Sequence, residues 1–197
     1  MEYLLLAGLL ASGLGSLALY ARRRKRQRQQ HDSAEQARAD VLSEPRDVDQ
    51  ARPGDVVVLD EGDSLVQGVV RFGEGARSWI ECRLLDVSVE RWIVVRPDDS
   101  SGLVVGERID GLPLRGEPPE AIDHDGRIYQ LERYGEARIE VEGDAGGYAV
   151  GELEFWDYRC TGSERLWIRR SGNAFRSFAG RRDPRHMIEF IPGGGAL

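Results

Sequence analysis

The residues of this chain best suited to chemistry are the run Asp123-His124-Asp125-Gly126, with Asp183 and His186 further along. Two imidazoles and two or three carboxylates are a donor set that suits a divalent ion, and a metal-activated water there would make a hydrolase centred on His124. The competing reading is structural: Asp-Gly ahead of a β-branched run is a turn signal in which the carboxylate caps its own backbone. The turn is the reading the spacing favours, so no catalytic or metal residue is assigned. Nucleophiles fare no better. No serine lies in a G-x-S-x-G, and Cys82 and Cys160 have neither a nearby histidine nor a C-x-x-C spacing, which leaves them as free core thiols. The glycine-rich stretches Gly143–Gly151 and Gly193–Gly195 lack the strand-then-helix context and the lysine of a phosphate loop, and no cofactor is expected.

The largest side chains available for recognition are Trp79, Trp92, Trp156 and Trp167. Alternation sets Trp79 opposite Ile80 and Cys82, and Trp167 opposite Leu166 and Ile168. Trp79 and Trp167 are therefore partner-binding candidates if one sheet face is solvated. If both faces are covered, all four tryptophans are core.

Positioning these residues falls to two unlike parts of the chain. From Tyr3 to Tyr20 no side chain is charged, and Arg22, Arg23, Arg24, Lys25, Arg26 and Arg28 follow at once. This reads as a transmembrane helix over 1–21 with a stop-transfer cluster, N-terminus out and the remainder cytoplasmic at the inner membrane. A cleaved signal peptide would carry its positive charge before the apolar run, where only Glu2 stands. Within the helix, Ala7, Ala11 and Gly15, flanked by Gly8, Ser12 and Ser16, form small-residue rows on one face. Gly8, Ala11 and Gly15 are thus candidates for close helix–helix contact, including a homo-oligomer. Residues 22–51 read as a basic, then polar, cytoplasmic linker without an aromatic residue.

The formal net charge of the whole chain is −7, and the first 38 residues carry seven basic against three acidic side chains, leaving −11 for the rest. So acidic a domain argues against nucleic acid and against adhesion to an anionic leaflet. A basic or neutral partner suits it. The single lysine among 27 basic residues reflects composition more than selection for guanidinium chemistry.

From Arg52 the texture turns to short β-branched and aromatic runs broken by Gly, Asp and Pro. Strands are expected at 55–59, 65–72, 77–85, 91–96, 104–109, 127–133, 137–142, 148–158, 165–169, 174–178 and 187–191. The whole is a mainly β, barrel- or sandwich-like domain over 52–192, with a flexible end over 193–197. Gly68, Gly151 and Gly180 fit bulges or tight corners. A faint repeat relates Trp79–Arg96 to Phe155–Arg170: an aromatic, an acidic step, a loop, then Glu-Arg and Trp-Ile, the last one residue later in the second copy. Two related β-meanders account for it.

Gly54-Asp55, Gly68, Trp79-x-Glu81 with Leu84, Trp92, Gly126-x-x-Tyr129-x-Leu131-Glu132-x-x-Gly135-x-Ala137, and Trp156-x-Tyr158 with Leu166 and Gly180 give the stretch Arg52–Pro192 a resemblance to the bacterial domain of unknown function DUF4178. The resemblance implies an accessory domain encoded beside membrane-associated proteins, among them membrane-remodelling, polyamine-synthase-like and channel-like proteins. It carries no catalytic residues over. Cys82 stands where a second aromatic is expected. The function expected is a non-enzymatic, membrane-tethered domain that binds a protein partner at the cytoplasmic face of the membrane, an accessory to an envelope-stress or membrane-remodelling system. The alternatives are a β domain sensing a basic small molecule such as a polyamine, and the hydrolase centred on His124.

Overall fold

The computed structural model describes residues 47–60, 62–85, 90–96 and 102–193. The expected membrane span, with Gly8, Ala11 and Gly15, lies outside them. Among the described residues no helix is long and apolar enough to cross a membrane.

Eleven strands are formed there: β1 (Val56–Leu59), β2 (Gly62–Glu74), β3 (Arg77–Leu85), β4 (Glu90–Val95), β5 (Leu103–Ile109), β6 (Ala121–His124), β7 (Arg127–Gly143), β8 (Gly151–Arg159), β9 (Glu164–Ser171), β10 (Ala174–Asp183) and β11 (Glu189–Ile191). All pairings are antiparallel, and the order β11-β1-β2-β3-β4-β5-β10-β9-β8-β7-β6 is closed by a further β2–β7 pairing. β2-β3-β4-β5-β10-β9-β8-β7 therefore make a closed eight-stranded barrel. The barrel is built of two consecutive meanders, β1–β5 and β6–β10, joined along a β5–β10 seam and a β2–β7 seam.

Two strand expectations are corrected. The runs 127–133 and 137–142 are one strand, β7, because Gly135 and Glu136 stay paired with Phe155 and Glu154, and the irregularity falls at Glu132 as a bulge instead of a break. Residues 121–124, not among the expected strands, form β6. Asp125 and Gly126 both take positive φ, 53° and 72°, which is the backbone of a two-residue hairpin whose twist matches its strands. The Asp-Gly turn signal is correct, and it turns between two strands.

Three cores result. Inside the barrel pack Phe72, Trp79, Trp92, Phe155, Trp167 and Phe178 with smaller residues. Phe72 stacks on Trp79 at 4.7 Å, Trp167 on Phe178 at 5.3 Å, and Trp92 meets Phe178 edge-on. Tyr148, in the loop between β7 and β8, adds its ring to Trp92 at 5.6 Å and closes that end, with Arg176 over its face. Outside, each meander has a cover of its own. Ile80, Cys82, Leu84 and Ile93 lie under a flap made of β1, β11 and the short 3-10 turn Val48–Gln50, through Val57, Phe190, Val48 and Ala51. Trp156, Tyr158, Leu166 and Ile168 lie beneath Ile122 and Tyr129 of the β6–β7 hairpin and Leu112 and Leu114. Both faces of the meanders are thus covered, and strict inside/outside alternation of polarity is lost. Arg71 of β2 holds the incoming chain, donating to the carbonyls of Asp49 at 3.2 Å and Ala51 at 3.0 Å.

Candidate functional site

Charged residues inside the barrel come from positions related between the meanders. Glu81 pairs with Val94, two residues before Arg96, and Asp157 pairs with Trp167, two residues before Arg169. By ladder position Glu81 corresponds to Asp157 and Arg96 to Arg169; Arg169 bridges the two acids, and Arg96 adds a second guanidinium to Asp157. Arg169, wholly buried, donates to Glu81 Oε1 from Nη2 at 2.5 Å and Nε at 2.9 Å, and from Nη1 to Asp157 Oδ1 at 3.0 Å. Arg96 reaches Asp157 Oδ2 at 2.5 Å, and Arg133 over the Trp79 ring reaches Glu74 Oε2 at 2.7 Å. Arg169 also lies over Phe72 and Phe155.

Burial pushes the Glu81 carboxyl above its ordinary value, with Arg169 only partly offsetting it, and Glu81 Oε2 has no hydrogen-bond partner. Burial also raises Asp157, but Arg169 and Arg96 together outweigh it and hold that carboxyl below its ordinary value. This network fills the barrel with side chains and leaves the outer surface as the place for recognition.

Two outer features stand out. The first is a cleft of about 390 Å³ on the β5–β10 seam. Its walls are the tips of the two covering hairpins, Leu59-Asp60 and His124-Asp125, with Met187 and Ile188; its floor includes Gly106 and Gly180, which face each other across the seam. Glu107, Glu164 and Asp183 join Asp60 and Asp125 in the lining, against Arg91, Arg108 and Arg181. Arg91 is 3.9 Å from Glu107 and Arg181 2.9 Å from Asp183.

The second is the outward face of the flap together with the ends of β2 and β3 that continue it. Ile191 pairs with Val56, Val56 with Leu65 and Leu65 with Leu85, so four apolar side chains form one row across four strands. Ile191, Leu65 and Leu85 are 37%, 45% and 48% exposed. Two residues along, Glu189 and Asp63 flank Val58 in a parallel row.

The candidates from sequence fall as follows. Trp79 and Trp167 are 1% and 3% exposed inside the barrel, and Trp92 and Trp156 are also buried. The exposed tryptophan face does not form, because covering flaps bury the side that alternation assigns to core while barrel closure buries the other. His124 lines the cleft with its Nε2 3.7 Å from Asp125 Oδ2, Asp183 pairs with Arg181, and His186 is exposed in the 3-10 turn Arg185–Met187. Among the described residues no group of three or more His, Cys, Asp or Glu side chains gathers to hold a metal ion. Cys82 is buried under the flap, its thiol pushed up to about 12 by burial, and Cys160 is half-buried beside Thr161. Sequence reasoning missed the Arg169 network and the apolar row. The signal for the first was an acid and an arginine inside strongly apolar strands, as Glu81 sits between Ile80 and Cys82.

Comparison with curated proteins and with solved structures returns no match. Residues 52–185, well over half of the chain, match the domain of unknown function DUF4178, and the protein belongs to that family.

Proposed function

We propose that this protein is a non-enzymatic, membrane-tethered interaction module that binds a protein partner at the cytoplasmic face of the inner membrane. Residues 3–20 serve as the lipid-embedded tether, and Gly8, Ala11 and Gly15 as its packing face. The observation that carries the reading is the apolar row Ile191–Val56–Leu65–Leu85, which runs from the outward face of the flap onto the adjoining ends of β2 and β3. Three large aliphatic side chains side by side in water are a cost that a docked partner removes. The filled barrel interior supports the same reading, since recognition then belongs to the outside. The test is photo-crosslinking of the full chain in its native membranes, with the reactive amino acid at Leu65 or Leu85 and, as controls, at the exposed Ile128 or Tyr134. A discrete protein adduct is expected from 65 and 85 alone, and weakened for a chain starting at Arg52. Absence of any adduct from 65 and 85, or equal adducts from all four positions, overturns it.

A second reading takes its support from the seam cleft, whose lining holds five carboxylates against three guanidinium groups and whose volume suits a small ligand. It makes the cleft a receptor for a basic small molecule such as a polyamine. Calorimetric titration of the full chain with spermidine is then expected to give saturable binding that weakens about tenfold in Glu107→Gln/Asp183→Asn. Binding that is equal in that variant, or absent, removes this reading.

A further inference from the structure

The flap face has a pattern that specifies more than an apolar contact. Its four-residue row runs at right angles to the strands, so neighbouring side chains are spaced by the strand separation, about 4.8 Å, over a length of about 14 Å. One turn of an α-helix advances about 5.4 Å, and a helix laid along the row places residues i, i+4, i+7 and i+11 against successive strands. A β-strand laid the same way repeats on one face at about 6.8 Å and falls out of step after one contact. The row therefore matches a helix.

Charge sets which helix. Glu189 and Asp63 lie about 7 Å to one side of the row, on the same face, with Val58 between them. Both are exposed, and neither has an ion-pair partner among the described residues. At the far end of the row Leu85 pairs with Glu90, whose carboxylate is already taken by Arg83 and Trp92. A docking helix thus meets an apolar stripe with two open carboxylates along one flank. A second copy of the chain would bring the same carboxylates face to face, and an anionic lipid surface would repel them. A helix with Lys or Arg beside its apolar stripe satisfies both rows at once.

Resting on the reading of the protein as an interaction module, we propose that the flap face is the docking site for an amphipathic partner helix with a basic flank. The probe is a pair of synthetic peptides of about sixteen residues with leucines at i, i+4, i+7 and i+11. One carries lysines and the other glutamates along one side of the stripe. Both are titrated against the full chain in nanodiscs of neutral lipid. The lysine peptide is expected to bind at least about tenfold more tightly than the glutamate peptide, and Leu65→Asp/Leu85→Asp to lose about tenfold or more of that affinity. Asp63→Lys/Glu189→Lys, which leaves the apolar row intact, is expected to reverse the preference between the peptides.

Equal binding of the two peptides, no binding of either, or a preference indifferent to Asp63→Lys/Glu189→Lys overturns the proposal. So does a photo-adduct from position 65 to lipid, or to a second copy, in place of the peptide. Should native membranes yield a protein adduct from 65 while the peptides bind alike, only the chemistry argued here falls. No adduct and no peptide binding remove the interaction module with it.

Discussion

Replacing Arg169 with methionine is expected to destabilise the domain by about 3–5 kcal/mol, a large share of the roughly 5–15 kcal/mol that holds a domain folded. The cost comes from what is left behind. Glu81 and Asp157 are buried among aromatic rings, and Arg169 supplies three of the hydrogen bonds that make their charge tolerable. Arg170→Met, one residue along on the opposite face and paired with the half-exposed Glu154, is expected to shift the unfolding midpoint far less. Urea unfolding followed by tryptophan fluorescence measures both, and equal midpoints for the two variants would show that the buried network carries no special share of stability.

The same network gives stability a pH dependence with two limbs. Glu81 is raised in the folded state, so the fold takes up a proton more readily than the unfolded chain and gains stability as pH falls from neutrality toward the ordinary carboxylate range. Asp157 is lowered; its contribution is present above the unfolded value and is lost as pH falls through its folded value, below about pH 4. Glu81→Gln is expected to flatten the first limb and leave the second.

Gly180→Ala is the second large effect. A Cβ there would stand 2.1 Å from the Val105 carbonyl oxygen and 2.4 Å from the Gly106 Cα, both backbone atoms of the strand across the seam. Nothing flexible is available to move, so the seam must open, at a cost of about 3 kcal/mol. Gly73→Ala, whose nearest contact would be the Arg138 carbonyl oxygen at 3.9 Å, is the matched control and is expected to be nearly silent. Thermal unfolding of the two variants decides the matter. A silent Gly180→Ala would mean that the strands of this seam part easily.

Much of the β architecture was legible because turn residues punctuate it. β3 is recovered at its true ends from Arg77 to Leu85, and the Asp125-Gly126 turn from its residue types. Gly68 and Gly180 were both expected at bulges or tight corners; Gly68 sits beside a bulge, whereas Gly180 allows the close β5–β10 approach. Closure of the sheet was not legible. A residue on a strand buried on both faces carries no polarity signal for which side is inside, and Trp79 and Trp167 were placed by an alternation that the flaps cancel. The repeat was visible in Glu-Arg and Trp-Ile, yet the ladder relates Arg96 to Arg169 and Glu81 to Asp157, out of step with that text, because β3 runs four residues past Glu81 to Leu85 whereas β8 runs only two past Asp157 to Arg159. The apolar row escaped notice because Val56, Leu65, Leu85 and Ile191 are far apart in sequence and become neighbours only through strand register.

The grip of Arg71 on the Asp49 and Ala51 carbonyls has a mechanical meaning for a domain held from its N-terminal side. Tension arriving at residue 47 passes through that guanidinium directly into β2, which pairs with β1 over its first residues and with β3 and β7 further on. Arg71 thus carries part of such a load past the two-stranded flap edge and into a strand held by neighbours on both sides.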